Sequence, residues 1–173
     1  MKVVCDADGL IKLAKVGMLG PLADYATLLI GPAVYGEAVT AGIAQGHEDA
    51  SEVRRILVDH AVECTFAAVT HEGHESGQGT QGLGRGEREA MSLCREHAAH
   101  AVLSDDRAFL RLLDEEKIPY LTPAVAVVML AEQGVLTGER ARRALADLRP
   151  LIREEQYWAA RKDLESILQG GDA

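Results

Sequence analysis

Short apolar runs alternate with amphipathic helical stretches along this chain, and that alternation restricts its fold more than any other feature. Lys2 to Cys5 is a β-branched run ending at Asp6. Thr27 to Ile30 and Ala101 to Leu103 are equally short, and Val62 to Val69 and Ile118 to Leu121 complete the strand candidates. Between them, apolar residues recur at helical spacing. Leu10, Ile11, Leu13, Ala14 and Val16 do so after Gly9, and Gly17 and the Gly20-Pro21 pair then punctuate the chain. A helix opened by Pro32 carries Glu37 and stops near Gly42. Further helices are expected over His47 to Val58, Glu87 to His97, Asp106 to Glu115 and Pro123 to Gln133. Two more, Thr137 to Arg149 and Leu151 to Leu168, are split by Pro150, with Trp158, Leu164 and Leu168 on an apolar stripe of the second.

Strands this apolar, each followed by a helix, predict an α/β fold. The expected form is a three-layer α/β/α sandwich with a central parallel five-stranded sheet, plus C-terminal helices. A length of 173 residues suits a single domain over 1–173. Its core is expected at about 1–135 and a helical extension at about 136–169.

In parallel sheets of this kind, ligands bind beyond the carboxyl ends of the strands. There the chain places acids. Asp6 follows the first strand, Asp105 and Asp106 follow the fourth, and Glu87 opens a helix after the glycine-rich loop Thr70 to Gly86. Carboxylates crowded at one rim raise one another's pKa, a conflict that a divalent cation removes. Oxygen donors without a Cys/His set favour a hard ion, Mg²⁺ or Mn²⁺. Such ions polarise a phosphodiester, activate water and stabilise the leaving oxygen. The same acids have plainer uses: Asp8 and Asp105 or Asp106 suit helix N-caps, and Glu87 suits a helix N-terminus. With 27 acids in 173 residues, some fall at strand ends by chance, so both readings stand at this point.

The net charge of −9 opposes a protein that grips nucleic acid through phosphates alone. Either the acidic charge is partly a metal site that turns electropositive when loaded, or the substrate is not a nucleic acid. MKVVCDADG contains no signal-peptide core, and the longest apolar run, Ala124 to Ala131, is too short to span a bilayer. Cys5, Cys64 and Cys94 form no CxxC pair, which fits small core residues and reduced thiols in a cytoplasmic protein and excludes a zinc ribbon.

Four segments resemble the PIN-domain family, in the family's order, over about residues 2 to 121. VVCDADGLIKLAKVG is similar to its opening, an Asp ending strand one before an apolar helix. GPAVYGEAVTAG resembles its Pro-led second segment with an acid, here Glu37. GRGEREAMSL resembles the third, an acid beginning a helix after glycines, here Glu87. LSDDRAFLRLL resembles the fourth: a Ser or Thr, a spacer, then Asp, which selects Asp106 with Asp105 as the spacer and auxiliary ligand. The resemblance, to VapC-like ribonucleases of a group with extra C-terminal helices, implies metal-dependent hydrolysis of RNA. Asp6, Glu37, Glu87 and Asp106 would be the catalytic acids. Metal ligands would come from Asp6, Glu87 and Asp106 with Asp105 and Asp8, and the ions would be Mg²⁺ or Mn²⁺. It further implies a homodimer and the role of a toxin held by an antitoxin protein, whose Arg-bearing segment would reach into the acidic site. Asp8 departs from the pattern, standing where the family commonly has Ser or Thr.

Lys12, Arg85 and Arg107 flank the acidic segments as candidate substrate contacts, with Lys15, Arg88 and Arg111 near them; solvated helix faces are the plainer account. Other readings compete. DADG also resembles the opening of haloacid-dehalogenase-type phosphatases, with Asp6 as nucleophile and Asp8 as general acid–base. Against it, no Lys lies between residues 87 and 105, and Leu10 replaces the usual Thr or Val. GQGTQG at Gly77 to Gly82 satisfies GxGxxG, but it neither ends a strand nor enters a helix directly. His71 and His74 in HEGHE lack the HExxH spacing and read as loop histidines rather than a zinc site. A non-catalytic interaction module is the third class. With aromatics at 4%, base stacking cannot dominate its RNA binding.

Overall fold

A computed structural model describes residues 1–60, 62–64 and 84–170, with the side chains of Glu63 and Cys64 excepted. Most of the Thr70 to Gly86 loop, with His71, His74 and GQGTQG, lies outside the described residues, as does the end of the third predicted strand.

Strands β1 (Lys2–Cys5), β2 (Thr27–Ile30), β3 (Glu63–Cys64), β4 (Ala101–Leu103) and β5 (Tyr120–Leu121) form one sheet in the order β3-β2-β1-β4-β5. Every pairing is parallel: Val3 lies opposite Leu28 and Ala101, and Val102 opposite Tyr120. The five-stranded parallel sheet expected from the sequence is present.

Alternation along each strand divides the core in two. Val3, Cys5, Leu28, Ile30 and Leu103 face one layer of helices, whereas Val4, Leu29 and Val102 face the other. The first layer holds α1 (Ala7–Lys15), α2 (Leu19–Tyr25), α3 (Pro32–Tyr35), α5 (Glu48–Asp59) and α8 (Pro123–Glu132). The second holds α6 (Arg85–Glu96) and α7 (Arg107–Glu115), closed by Leu93, Phe109 and Leu113, all fully buried. Sheet order reverses beside β1: α1, which follows β1, and α7, which follows β4, lie on opposite faces of the sheet, and a crevice is expected between these connections at the strands' carboxyl ends.

The C-terminal helices α9 (Gly138–Leu148) and α10 (Glu154–Gly170) pack on α8 and on each other. Leu145, Leu148, Tyr157, Ala160 and Leu164 join the same apolar cluster as Val3 and Leu10. The packed stripe of α10 thus runs through Tyr157, Ala160 and Leu164. Trp158, expected on it, is 53% exposed, because it sits one residue off that stripe beside the Arg149 guanidinium.

Three local departures have physical causes. α2 contains the Gly20-Pro21 pair taken as punctuation; Pro is tolerated in a first turn, where its missing N–H has no intrahelical acceptor. The helix opened by Pro32 widens into a π-helical turn over Gly36–Ala41 and continues as α4 (Gly42–Ala44), ending at Gly46 with φ +77°. Pro150 sits in a 3₁₀ turn over Arg149–Leu151, so α10 starts at Glu154 rather than Leu151.

Candidate active site

A cleft of about 650 Å³ opens at the carboxyl ends of β1 and β2, lined by Asp6, Asp8, Ala33, Glu37, Glu87 and Asp106 with neighbouring glycines, Pro32 and Arg85. All four acids expected to be catalytic therefore share one cavity.

Asp6 is the fixed point. It leaves β1 with its N–H bonded to the Leu103 carbonyl of β4 at 2.9 Å, and it is 8% exposed. As N-cap of α1 its Oδ1 accepts from the Ala7 N–H at 2.7 Å, and Oδ2 accepts from the Ser104 hydroxyl at 2.7 Å. Ser104 is fully buried and its Oγ also accepts from the Asp106 N–H at 3.2 Å. One hydroxyl thus ties the end of β1 to the end of β4. Burial pushes the Asp6 carboxyl above the usual range; Ser104 and the Ala7 N–H oppose this, and the charges of Asp8 and Glu87 add to it.

Asp106 caps α7, its Oδ1 accepting from the Phe109 N–H at 2.8 Å. Glu87, in the first turn of α6, turns back so that Oε2 accepts from the Gly84 N–H. Glu37 lies in the π-helical turn. In these positions the acids ring the cleft rather than cage a point: among the described residues, no three His, Cys, Asp or Glu side chains gather closely enough to hold an ion. The N-cap of α1 is Asp6 rather than the Asp8 expected from the sequence, that of α7 is Asp106 rather than Asp105, and both capping acids also line the cleft.

The donor set nonetheless suits a hard divalent cation. It is wholly carboxylate, and its most buried member is under like-charge pressure from two neighbours, which a cation relieves. Carboxylate oxygens that already accept one hydrogen bond keep a second lone pair.

Asp105 and Lys12 differ from expectation. Asp105 is absent from the cleft lining: its Oδ2 accepts from Lys12 Nζ at 2.6 Å and its Oδ1 from Gln156 Nε2 of α10 at 2.6 Å. Outside the cleft lining and held by two donors, this buried carboxylate makes bracing contacts between α1, α10 and the segment after β4 rather than facing the cavity as an auxiliary ligand would. Lys12 also reaches Asp8 at 2.7 Å, so its ammonium bridges two carboxylates instead of presenting itself to a substrate. Burial lowers the pKa of that ammonium, but Asp105 and Asp8 outweigh it and hold the value above its ordinary position. Asp8 lines the cleft with its charge already countered by Lys12.

Of the other cations, Arg85 stands at the cleft wall, its side chain 78% exposed, with Nε donating to Glu89 Oε1 at 3.2 Å. Arg107 and Arg111 are exposed on α7 outside the lining, and Lys15 faces Asp49 at 3.8 Å. Cys5 and Cys94 are buried free thiols, and burial beside Asp6 pushes Cys5 up to about 12.

Two residues carry no assignment from the sequence. Ser104 is the Ser of the LSDD segment, and its signal is the Ser-spacer-Asp pattern itself. Glu89 is 5% exposed, and its Oε2 accepts from the Ala33 N–H at 2.8 Å. Its signal is an acid on the inner stripe of α6, in line with Leu93.

Among the described residues, no helix is long and apolar enough to cross a membrane. No curated protein and no solved structure matches the chain. The family profile described as a PIN domain matches residues 2–171, the C-terminal helices included. That match displaces the phosphatase reading of Asp6 and Asp8. With its acidic cleft at the switch point of a parallel sheet, the chain belongs to the PIN-domain family, whose members are in general nucleases.

Proposed function

We propose that the protein is a metal-dependent endoribonuclease that hydrolyses RNA phosphodiesters in the acidic cleft. The observation that carries this reading is the single cavity shared by Asp6, Glu37, Glu87 and Asp106. Bound there, Mg²⁺ or Mn²⁺ would supply Lewis-acid polarisation of a phosphate and of an attacking water.

The chain's own residues do the positioning. Ser104 and the Ala7 N–H fix both oxygens of Asp6, and the cap bond to Phe109 orients Asp106 beside it. Asp6 and Asp106 therefore provide the principal contacts to the ion. Glu37, from the segment opened by Pro32, and Glu87, from α6, would complete the site directly or through water. Asp8, held by Lys12, contributes at the cleft mouth. Arg85 meets a backbone phosphate from the same wall as Glu87, and Arg107 does so from the first turn of α7. A net charge of −9 then accords with an RNA enzyme whose phosphate affinity depends on the loaded ion.

The same acidity suits a basic, Arg-bearing protein segment that would block the cleft, as an antitoxin does; a dimeric toxin in the cytoplasm is the corresponding biology. The test is cleavage of a mixed structured-RNA panel with Mn²⁺, Mg²⁺ or EDTA, beside Asp6→Asn and Asp106→Asn. Cleavage that needs the ion and disappears in both variants supports the proposal. Binding of RNA without cleavage under every condition points instead to an interaction module.

A further inference from the structure

The two glutamates of the cleft come from different helical segments. Glu37 rides on the segment that starts at Pro32, and Glu87 on α6. Glu89 joins these walls. Its carboxylate is buried beneath α6, with Oε2 accepting from the Ala33 N–H at the start of α3 and Oε1 accepting from Arg85. Ala33 and Arg85 both line the cleft. A further observation shows how closely the fit is made: a Cβ on Gly31 would lie 2.5 Å from Glu89 Oε2 and 3.1 Å from Glu89 Cβ. A methyl at position 31 would therefore force the Glu89 carboxylate to shift from the place where it meets the Ala33 N–H.

We propose that Glu89 is a positioning residue that sets the gap between the Glu37 and Glu87 walls and aims Arg85 at the substrate. This rests on the metal-dependent nuclease reading. Each oxygen has its own task. Oε2 anchors the segment bearing Glu37, and Oε1 holds the Arg85 guanidinium at the rim. Residues standing behind a metal's ligands commonly change its affinity by about 10–100-fold when removed.

Four variants separate the tasks: Glu89→Gln, Glu89→Ala, Gly31→Ala and Arg85→Ala, with the Gly31→Ala/Glu89→Ala double variant. Each is first shown to be folded by its thermal transition. Mn²⁺ affinity is then followed by the electron paramagnetic resonance of the free ion, and KM and kcat are measured on one RNA. Glu89→Gln keeps one acceptor oxygen for the buried Ala33 N–H but turns an amide donor toward Arg85. It should hold Mn²⁺ within about 3-fold of wild type while raising KM as Arg85→Ala does. Glu89→Ala and Gly31→Ala should each weaken Mn²⁺ binding by about 10-fold or more. The double variant should bind Mn²⁺ no worse than Glu89→Ala, because the added methyl then has no carboxylate to displace.

Should Glu89→Ala not fold, Gly31→Ala and Glu89→Gln still decide the matter. Wild-type Mn²⁺ affinity in Gly31→Ala, or an unchanged KM in Glu89→Gln, overturns the proposal while the nuclease reading stands. A wild-type protein that neither binds Mn²⁺ nor cuts RNA overturns both.

Discussion

Replacing Lys12 by Met removes the ammonium set between Asp8 and Asp105 and keeps most of the aliphatic stem. Asp105 is the partner that cannot adapt. Its side chain is 3% exposed, and it is left with Gln156 alone. Deleting one member of a buried ion pair costs about 3–5 kcal/mol, because the remaining charge stays buried without a counter-charge. Lys12 retains 17% exposure and the Gln156 bond survives, so the cost belongs at the lower end, about 3 kcal/mol. For a chain of this length, each kcal/mol shifts Tm by about 2–4 °C, which gives a fall of about 6–12 °C. Urea unfolding followed by circular dichroism measures the first figure and a thermal scan the second. Adding Asp105→Asn should restore part of the loss, since a neutral amide needs no cation. The pH dependence has a definite sign. The ammonium pKa is raised in the folded state, so this stabilisation is complete below the ordinary value of 10.5 and is lost as pH rises through the raised one. A destabilisation under about 0.5 kcal/mol together with a raised KM for RNA would refute the bracing role and return Lys12 to the substrate.

Three further outcomes follow from the same contacts. Ser104→Ala deletes a buried hydrogen bond to the Asp6 carboxylate, and should cost about 1.5–3 kcal/mol in urea titration and weaken Mn²⁺ binding about 10-fold; an unchanged Mn²⁺ affinity would show that Asp6 needs no such tether. Because burial raises the Asp6 pKa above its ordinary 3.8, the folded metal-free protein holds an extra proton just above that pH. Its stability should therefore fall as pH rises from 3.8 through the raised value, a decline absent in Asp6→Asn, and Mn²⁺ should bind more tightly across the same interval as the proton leaves. Leu164→Ala, at a fully buried position of α10, should cost about 2–5 kcal/mol in a single transition shared with the sheet; two separate transitions would mean that the C-terminal helices are an independent unit.

Strand positions were legible because buried parallel strands are near-continuous apolar runs, and β1, β2 and β4 fall on the expected residues. Asp6, Glu37, Glu87 and Asp106 were legible as a set only through the four PIN-like segments; periodicity places them at strand ends and helix starts without joining them. Side-chain partnerships were the part that stayed hidden. Lys12 is four residues from Asp8 and invites a pairing on one helix face, but its contact with Asp105 joins α1 to the segment after β4, and Gln156 arrives from α10. Glu89 escapes a sequence reading because an acid on an inner helical stripe resembles an error of period. The Ala33 N–H and Arg85 give it partners, and the bare Gly31 gives it room. The π-helical turn is likewise invisible to a pattern with a fixed period of 3.6 residues.

The measurement closest to the central claim is the chemistry of the RNA ends left by the wild-type protein in Mn²⁺ and in EDTA. Hydrolysis in the carboxylate cleft predicts fragments with a 5′-phosphate and a 3′-hydroxyl, formed only when the ion is present. Fragments ending in a 2′,3′-cyclic phosphate would mean that the ribose hydroxyl is the nucleophile, and either that result or cutting that persists in EDTA would contradict metal-dependent hydrolysis in the acidic cleft.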